Sequence, residues 1–363
     1  MPQAAPRSRA GPYGLAAFVI ASIVLLVIFA PIWRGGAAER RLDLSRPLPN
    51  HVPPGTVLRV GDPVMQWVFQ HNGWEKTLPF KIEWAQITGG PDVTEAFHAG
   101  ALDVGLGASV PPIHAAWTGI PVRIVAFRDY GDAADRQAWV FGISPKSGIR
   151  SVADFKGKRI AFSPSQVQAV VVLQTLKAAG LKSSDVRLVE LPSSIGGDVY
   201  ANALASGDVD VAPLGAGIVA ERYVRKFGRD GARLLRHPPF RDDATVVYVP
   251  ETVLADPGKA AALKIFLRYW GRAQAWINAH PEELAKGYYG DHQGLPIADG
   301  RLIVAATTGN LHVAEDWRRA RGVEQAAIDL LGAQMGHPRL NAADLFDPRF
   351  QTIAADAAKG PAR

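Results

Sequence analysis

The residues best placed to do chemistry sit where apolar runs give way to helices. Ser109 follows the run Asp103–Leu106 and stands just before Pro111 and Pro112, residues favoured in a first helical turn. Ser163-Pro164-Ser165-Gln166 follows Arg159–Phe162 and opens a helical stretch. Gly89 and Gly90 precede Pro91 in the same kind of setting. Free N–H groups and the positive end of the helix dipole make such termini anion sites, and serine hydroxyls add uncharged donors. The three serines fit ordinary N-caps equally well, a role compatible with anion binding. Gly89 and Gly90 either let backbone amides approach a ligand or simply form the turn.

Other chemistries lack their apparatus. The chain has no cysteine, which removes disulfides, thiolate metal sites and thiol nucleophiles together. Its nine histidines never stand three or four residues apart, so no helix presents a two-histidine metal face, and no metal site is expected. Gly105-Leu106-Gly107-Ala108-Ser109-Val110 lacks the last glycine of a dinucleotide fingerprint and runs into two prolines. No Gly-x-Ser-x-Gly elbow occurs, and no glycine-rich loop ends in Lys-Ser or Lys-Thr. The adjacent carboxylates Asp242-Asp243 and Glu282-Glu283 diverge on any regular element and read as solvated.

The elements that must carry these residues alternate. Val57–Val60, Lys81–Gln86, Asp103–Leu106, Val122–Phe127, Arg159–Phe162, Val186–Glu190, Val209–Ala212 and Ala244–Val249 read as strands. Helical spacing marks Val167–Ala179, Gly197–Ala205, Ala260–Ala279, Glu282–Tyr289, Arg301–Thr307 and Val323–Gln334, with Trp270 and Trp276 as packing residues. The order predicts an α/β fold of mostly parallel sheet, with a ligand at the strand carboxyl ends. Ala96–Val104 can be laid on Ala203–Val211, each a helix end, a glycine cap and a strand start, as two lobes of similar architecture would produce. With 363 residues, 48% of them hydrophobic, the chain can bury two such cores.

Leu15–Trp33 is apolar apart from Ser22 and the Pro31 break, and Arg7 and Arg9 precede it. That pattern reads as an export signal, holding the amino end in the cytoplasm and sending the rest across. Its length, close to the ~20 residues a membrane span needs, leaves cleavage near Gly36 and Ala38 and retention as an anchor both open. Beyond Arg7, Arg9 and Arg34 the chain carries 37 basic against 34 acidic groups. With no basic stripe, nucleic acid is not an expected partner.

Several segments, in order, resemble the aliphatic sulfonate, taurine and nitrate family of periplasmic substrate-binding proteins of ABC importers. They are Val60-Gly61-Asp62, Gly89-Gly90-Pro91-Asp92, Asp103-Val104-Gly105 with Pro111-Pro112-Ile113, Ser151–Ala161, Gly207–Val211 and Ala275–Glu282. The resemblance implies a two-lobed, type II periplasmic-binding fold with two crossings between lobes. It further implies a small oxyanion as ligand, an ABC permease with its ATPase as partner, a monomer, and no cofactor or catalysis. Gln66 is similar to the family's ligand-facing amide, though a lone glutamine also suits a solvated helix. Where the family often has a Trp-Asp-Pro type segment, this chain has Pro213-Leu214-Gly215-Ala216-Gly217, whose small residues enlarge a pocket or let backbone reach a ligand. Asp62 is unusual beside an anion pocket and would pair with a ligand ammonium or a basic neighbour.

The expectation is a signal peptide or anchor over 1–38, a tether over 39–55, a first lobe from 56–142 and 244–340, a second from 143–243, and a C-terminal tail over 341–363. The ligand-facing set is Asp62, Gln66, Gly90, Ser109, Ser163, Ser165, Gln166 and Gly215. A membrane-tethered sensor and a receptor for a neutral pyrimidine-like ligand are the alternatives. Enzymes of the same fold that cleave sulfinates use a cysteine, which this chain lacks.

Overall fold

The β-branched runs form two sheets laid out on one plan. The computed structural model describes residues 42–360 apart from 88, 132–135, 193–197 and 308–310. The expected export segment lies outside them. Among the described residues no helix is long and apolar enough to cross a membrane.

The first sheet is built from β1 (Val57–Gly61), α1 (Pro63–His71), β2 (Lys81–Ala85), α2 (Gly90–His98), β3 (Val104–Ala108), α3 (Val110–Trp117) and β4 (Val122–Asp129). The second follows with β5 (Trp139–Ile143), β6 (Arg159–Phe162), α4 (Val167–Ala178), β7 (Arg187–Glu190), α5 (Asp198–Ser206), β8 (Val211–Gly215), α6 (Ile218–Phe227) and β9 (Arg233–Leu235). The chain returns to the first sheet as β10 (Thr245–Pro250), then continues through α7 (Glu251–Ala255), α8 (Pro257–Ala279) and a π-helical stretch, Leu284–His292. After these come α9 (Ile297–Thr307), β11 (His312–Val313), α10 (Arg318–Met335) and α11 (Ile353–Ala358).

Strand order is β2-β1-β3-β10-β4-β11 in one sheet and β7-β6-β8-β5-β9 in the other. Parallel pairs join β1 to β2 and β3, and β6 to β7 and β8. The strand fed by a crossing runs against both its neighbours, β10 in the first sheet and β5 in the second, and the edge strand β11 also runs against β4. Trp139–Ile143 pairs with Val211–Gly215, so this strand lies in the second sheet.

The internal similarity has a physical basis. Gly100 and Gly207 both take left-handed φ, +62° and +83°, at the helix ends where only glycine is at ease. Ala101 N then bonds Ala96 O at 2.8 Å, and Asp208 N bonds Ala203 O at 2.9 Å. At the next strand's entry, Asp103 accepts from Arg59 N (2.9 Å) and its guanidinium, while Asp210 accepts from Arg159 N (2.8 Å) and its guanidinium. The same arginine–aspartate clamp thus locks β1 to the entry of β3 and β6 to the entry of β8.

The two crossings brace each other. Asp242 accepts from Ala138 N at 3.0 Å and Trp139 N at 2.8 Å, and contacts His237 Nε2 at 2.9 Å. Asp243 accepts from Tyr130 N at 2.7 Å and from Arg241, whose other arm reaches Gly131 O at 2.7 Å. The neighbouring carboxylates expected in solvent are therefore buried, 7% and 8% exposed, because crossing-strand amides and one arginine supply their donors. Within the stretch expected as a tail, residues 341–360 pack on the first sheet and its helices. Phe346 bridges to Ile124, Phe346 and Phe350 are buried, and α11 sits so close on α8 that a Cβ on Gly271 would collide with Ala354 O.

Candidate functional site

A cavity of about 510 Å³ lies between the sheets at the carboxyl ends of β1, β3, β4 and β8. Its first-sheet wall holds Asp62, Met65, Ala108, Arg128 and Thr245, and its second-sheet wall holds Trp139, Gly215, Ile218 and Val219. The crossings supply Tyr130, Asp242 and Asp243, and the C-terminal elements supply Gln274, Ile277, Tyr289, Ile303 and Leu311. Most of this surface is apolar, with a few polar groups, the usual character of an organic-ligand site.

Each polar group has a local reason for its place. Asp62 ends β1 and is the N-cap of α1, accepting Met65 N at 3.0 Å with Pro63 in the first turn. It is 4% exposed, and burial pushes its carboxyl up to about 6, against the opposing effects of the Met65 N–H and the Arg128 charge. Arg128 is carried to the cavity by β4, whose preceding residues Ile124–Phe127 are buried. Its guanidinium donates from Nη1 to Gln274 Oε1 at 2.6 Å, and the Gln274 amide nitrogen turns toward Met65 Sδ at 3.6 Å. Arg128 Nε is buried with no hydrogen-bond partner, and the guanidinium makes no ion pair among the described residues. Desolvation pulls its pKa down, while Tyr130, Asp62 and Tyr289 oppose that shift. Its remaining surface lines the cavity.

Of the eight residues expected to face a ligand, Asp62 and Gly215 line this cavity. A Cβ on Gly215 would meet nothing within 4 Å, so its lack of a side chain leaves open space there. Gly90 of the first sheet lies against Gln166 of the second, with a Cβ there falling 3.3 Å from the Gln166 amide, so these two meet across the divide. Ser109 is buried at the N-cap of α3 and makes no side-chain cap bond. It shares with Val167, Val170 and Ala244 a void of about 10 Å³, the room of about one water. Helices α3 and α4 pack close to each other at that point. Ser163 is buried beside Tyr200, Ser165 and Gln166 are half-buried at the start of α4, and Gln66 accepts from Gln86 at 2.7 Å near the surface.

Arg128, Tyr130, Trp139, Gln274 and Tyr289 were not among the expected residues. A signal existed for the first: Val122–Asp129 is an apolar strand whose carboxyl end, the place where such sheets bind ligands, carries an arginine. Tyr289 had none, since it reaches the cavity from a π-helical stretch that periodicity does not foretell.

Comparison with known proteins places this arrangement. An Escherichia coli (strain K12) protein, named provisionally as an aliphatic sulfonates-binding protein, is 32% identical over 118 residues, which span 32% of this chain and 36% of that protein. The alignment thus reaches about a third of that relative's length. The alkanesulfonate-binding protein SsuA from Xanthomonas axonopodis pv. citri, solved bound to MOPS, superposes with a TM-score of 0.65 at 23% identity, covering 82% of this chain and 99% of that one. The desulfurization enzyme DszB superposes with a TM-score of 0.54 at 14% identity, covering 83% and 99%. At such identities the likeness is one of fold, and the fold hosts both binding and catalysis. The model of the family described as NMT1/THI5 like matches residues 68–284, more than half of the chain, and this protein belongs to that family.

Proposed function

We propose that the chain is the extracytoplasmic solute-binding component of an ABC importer and that it holds a small organic anion between its two sheets, anchored on Arg128. One observation carries this reading: a half-buried guanidinium that faces a cavity, has a neutral amide as its hydrogen-bond partner and keeps its buried Nε–H unused. A partly desolvated cation without a paired anion is costly, and a ligand oxyanion would relieve that cost with charge-assisted bonds. The relatives named for sulfonate binding point to the same ligand class. Binding in the cavity would draw on both sheets and shift the population toward the closed form, which a permease would recognise. The apolar segment Leu15–Trp33 would export the receptor or hold it at the membrane. A role in binding, not catalysis, fits a cavity where Asp242 and Asp243 are committed to the crossings and a chain without cysteine.

A thermal-shift panel tests this reading. The protein is melted with alkanesulfonates, aminoalkanesulfonates, carboxylates of matched length, nitrate, sulfate and neutral pyrimidines. A ligand of the native state stabilises it by mass action, by about 2.7 kcal/mol at one hundred times Kd, and so raises Tm. The expected result is a rise with organic anions. A rise with pyrimidines alone would replace the anion by a neutral heterocycle.

A further inference from the structure

Four carboxylates line the cavity, and three are already in use. Asp129 takes Gly131 N at 2.8 Å, Arg319 at 2.7 Å and His312 at 3.1 Å. Asp242 takes two crossing-strand amides and His237, and Asp243 takes the Tyr130 amide and Arg241. Asp62 alone accepts only from the first turn of its own helix. That capping role does not need a charge, since asparagine or serine caps as well.

Resting on the proposed anion at Arg128, we propose that Asp62 is the second pole of the same site and that the ligand is dipolar. It would be an organic acid anion with a protonated amine or comparable N–H donor a few atoms from its acidic group. Asp62 and Arg128 share one cavity and feel each other's charge, yet they make no ion pair, and the Nη1 of the guanidinium donates to Gln274 instead. Two opposite charges that line one cavity without pairing match a molecule with the reverse polarity. A simple oxyanion would fill only one pole. By occupying Arg128 it would also cancel the positive charge that Asp62 sees, leaving a buried carboxylate uncompensated. Tyr130 from the crossing and Tyr288 and Tyr289 from the π-helical stretch are the other titratable groups facing this pair, and none of them supplies a cation. The cavity's size and its apolar lining at Trp139, Ile218 and Ile277 accommodate the carbon skeleton between the poles. The carboxyl held up to about 6 is in keeping with a group waiting for its donor.

The test is calorimetric titration of the full chain at pH 7.5 with two isosteric pairs: 3-aminopropanesulfonate against butane-1-sulfonate, and 4-aminobutanoate against pentanoate. In at least one pair the amine-bearing member is expected to bind at least about tenfold tighter. Asp62→Asn, which keeps the helix cap, is expected to bring the members of that pair within about threefold of each other, while Arg128→Gln weakens both. Equal binding within each pair, or a preference that survives Asp62→Asn, overturns the second pole and leaves the anion site standing. No binding by any member, in the wild type as in Arg128→Gln, removes the anion site and the second pole together.

Discussion

A carboxylate that caps a helix is inexpensive in water and costly inside a cavity, and Asp62 shows both sides of that balance. In the folded protein it holds its proton to about pH 6, whereas its ordinary value is 3.8. The folded state therefore binds more protons between those values, and stability falls as pH rises from about 4 to about 6 and stays lower above that. The rise corresponds to at most about 3 kcal/mol. Asp62→Asn retains the cap and removes the titration. It is expected to raise the Tm of the ligand-free protein at pH 7.5 by a few degrees and to leave it unchanged at pH 4, as thermal denaturation at the two pH values would show. An equal change at both would mean that the carboxyl is not buried as described. Sequence made Asp62 conspicuous as an acid beside a presumed anion site. It gave no comparable prominence to Arg128, because an arginine at a strand end looks like an ordinary solvated residue until the fold sets it against Gln274 and over a cavity.

At the scale of elements, the strands with long β-branched runs were legible, Val122–Asp129 and Thr245–Pro250 among them, because burial on both faces demands continuous apolar residues. Arg233–Leu235 and His312–Val313 were not, being too short to show any period. The matching stretches Ala96–Val104 and Ala203–Val211 were legible as a repeat, but the clamps that explain their aspartates join residues distant in sequence. Asp103 is 4% exposed at its side chain and also takes Lys259 Nζ at 2.8 Å, whereas Asp210 is 16% exposed and takes only Arg159. Asp103→Ala strands two cations and a backbone amide, and is expected to cost about 3–5 kcal/mol. Asp210→Ala, with water at hand, is expected to cost about 1–2 kcal/mol. Urea denaturation midpoints of the two variants rank them, and equal losses would mean that burial does not distinguish the clamps.

At the scale of the whole molecule, one plan used twice places the carboxyl ends of two sheets against a shared cavity, and Asp242 and Asp243 tie the crossings that join them. The two-lobed form was legible from the alternation of elements and the repeat. The packing of the last residues was not, because it depends on a close approach of Ala354 to Gly271 that no pattern of residue types announces. The central claim is that an organic anion binds between the sheets at Arg128. Isothermal titration of wild type and Arg128→Gln with the tightest anion from the thermal panel tests it most directly. The variant is expected to fold, since it loses a half-buried charge without an ion-pair partner, and to bind at least about 30-fold more weakly, the loss of about 2 kcal/mol or more that follows when a desolvated charge pair is broken. Unchanged affinity in a folded Arg128→Gln protein would contradict the account and move the ligand away from this cavity wall.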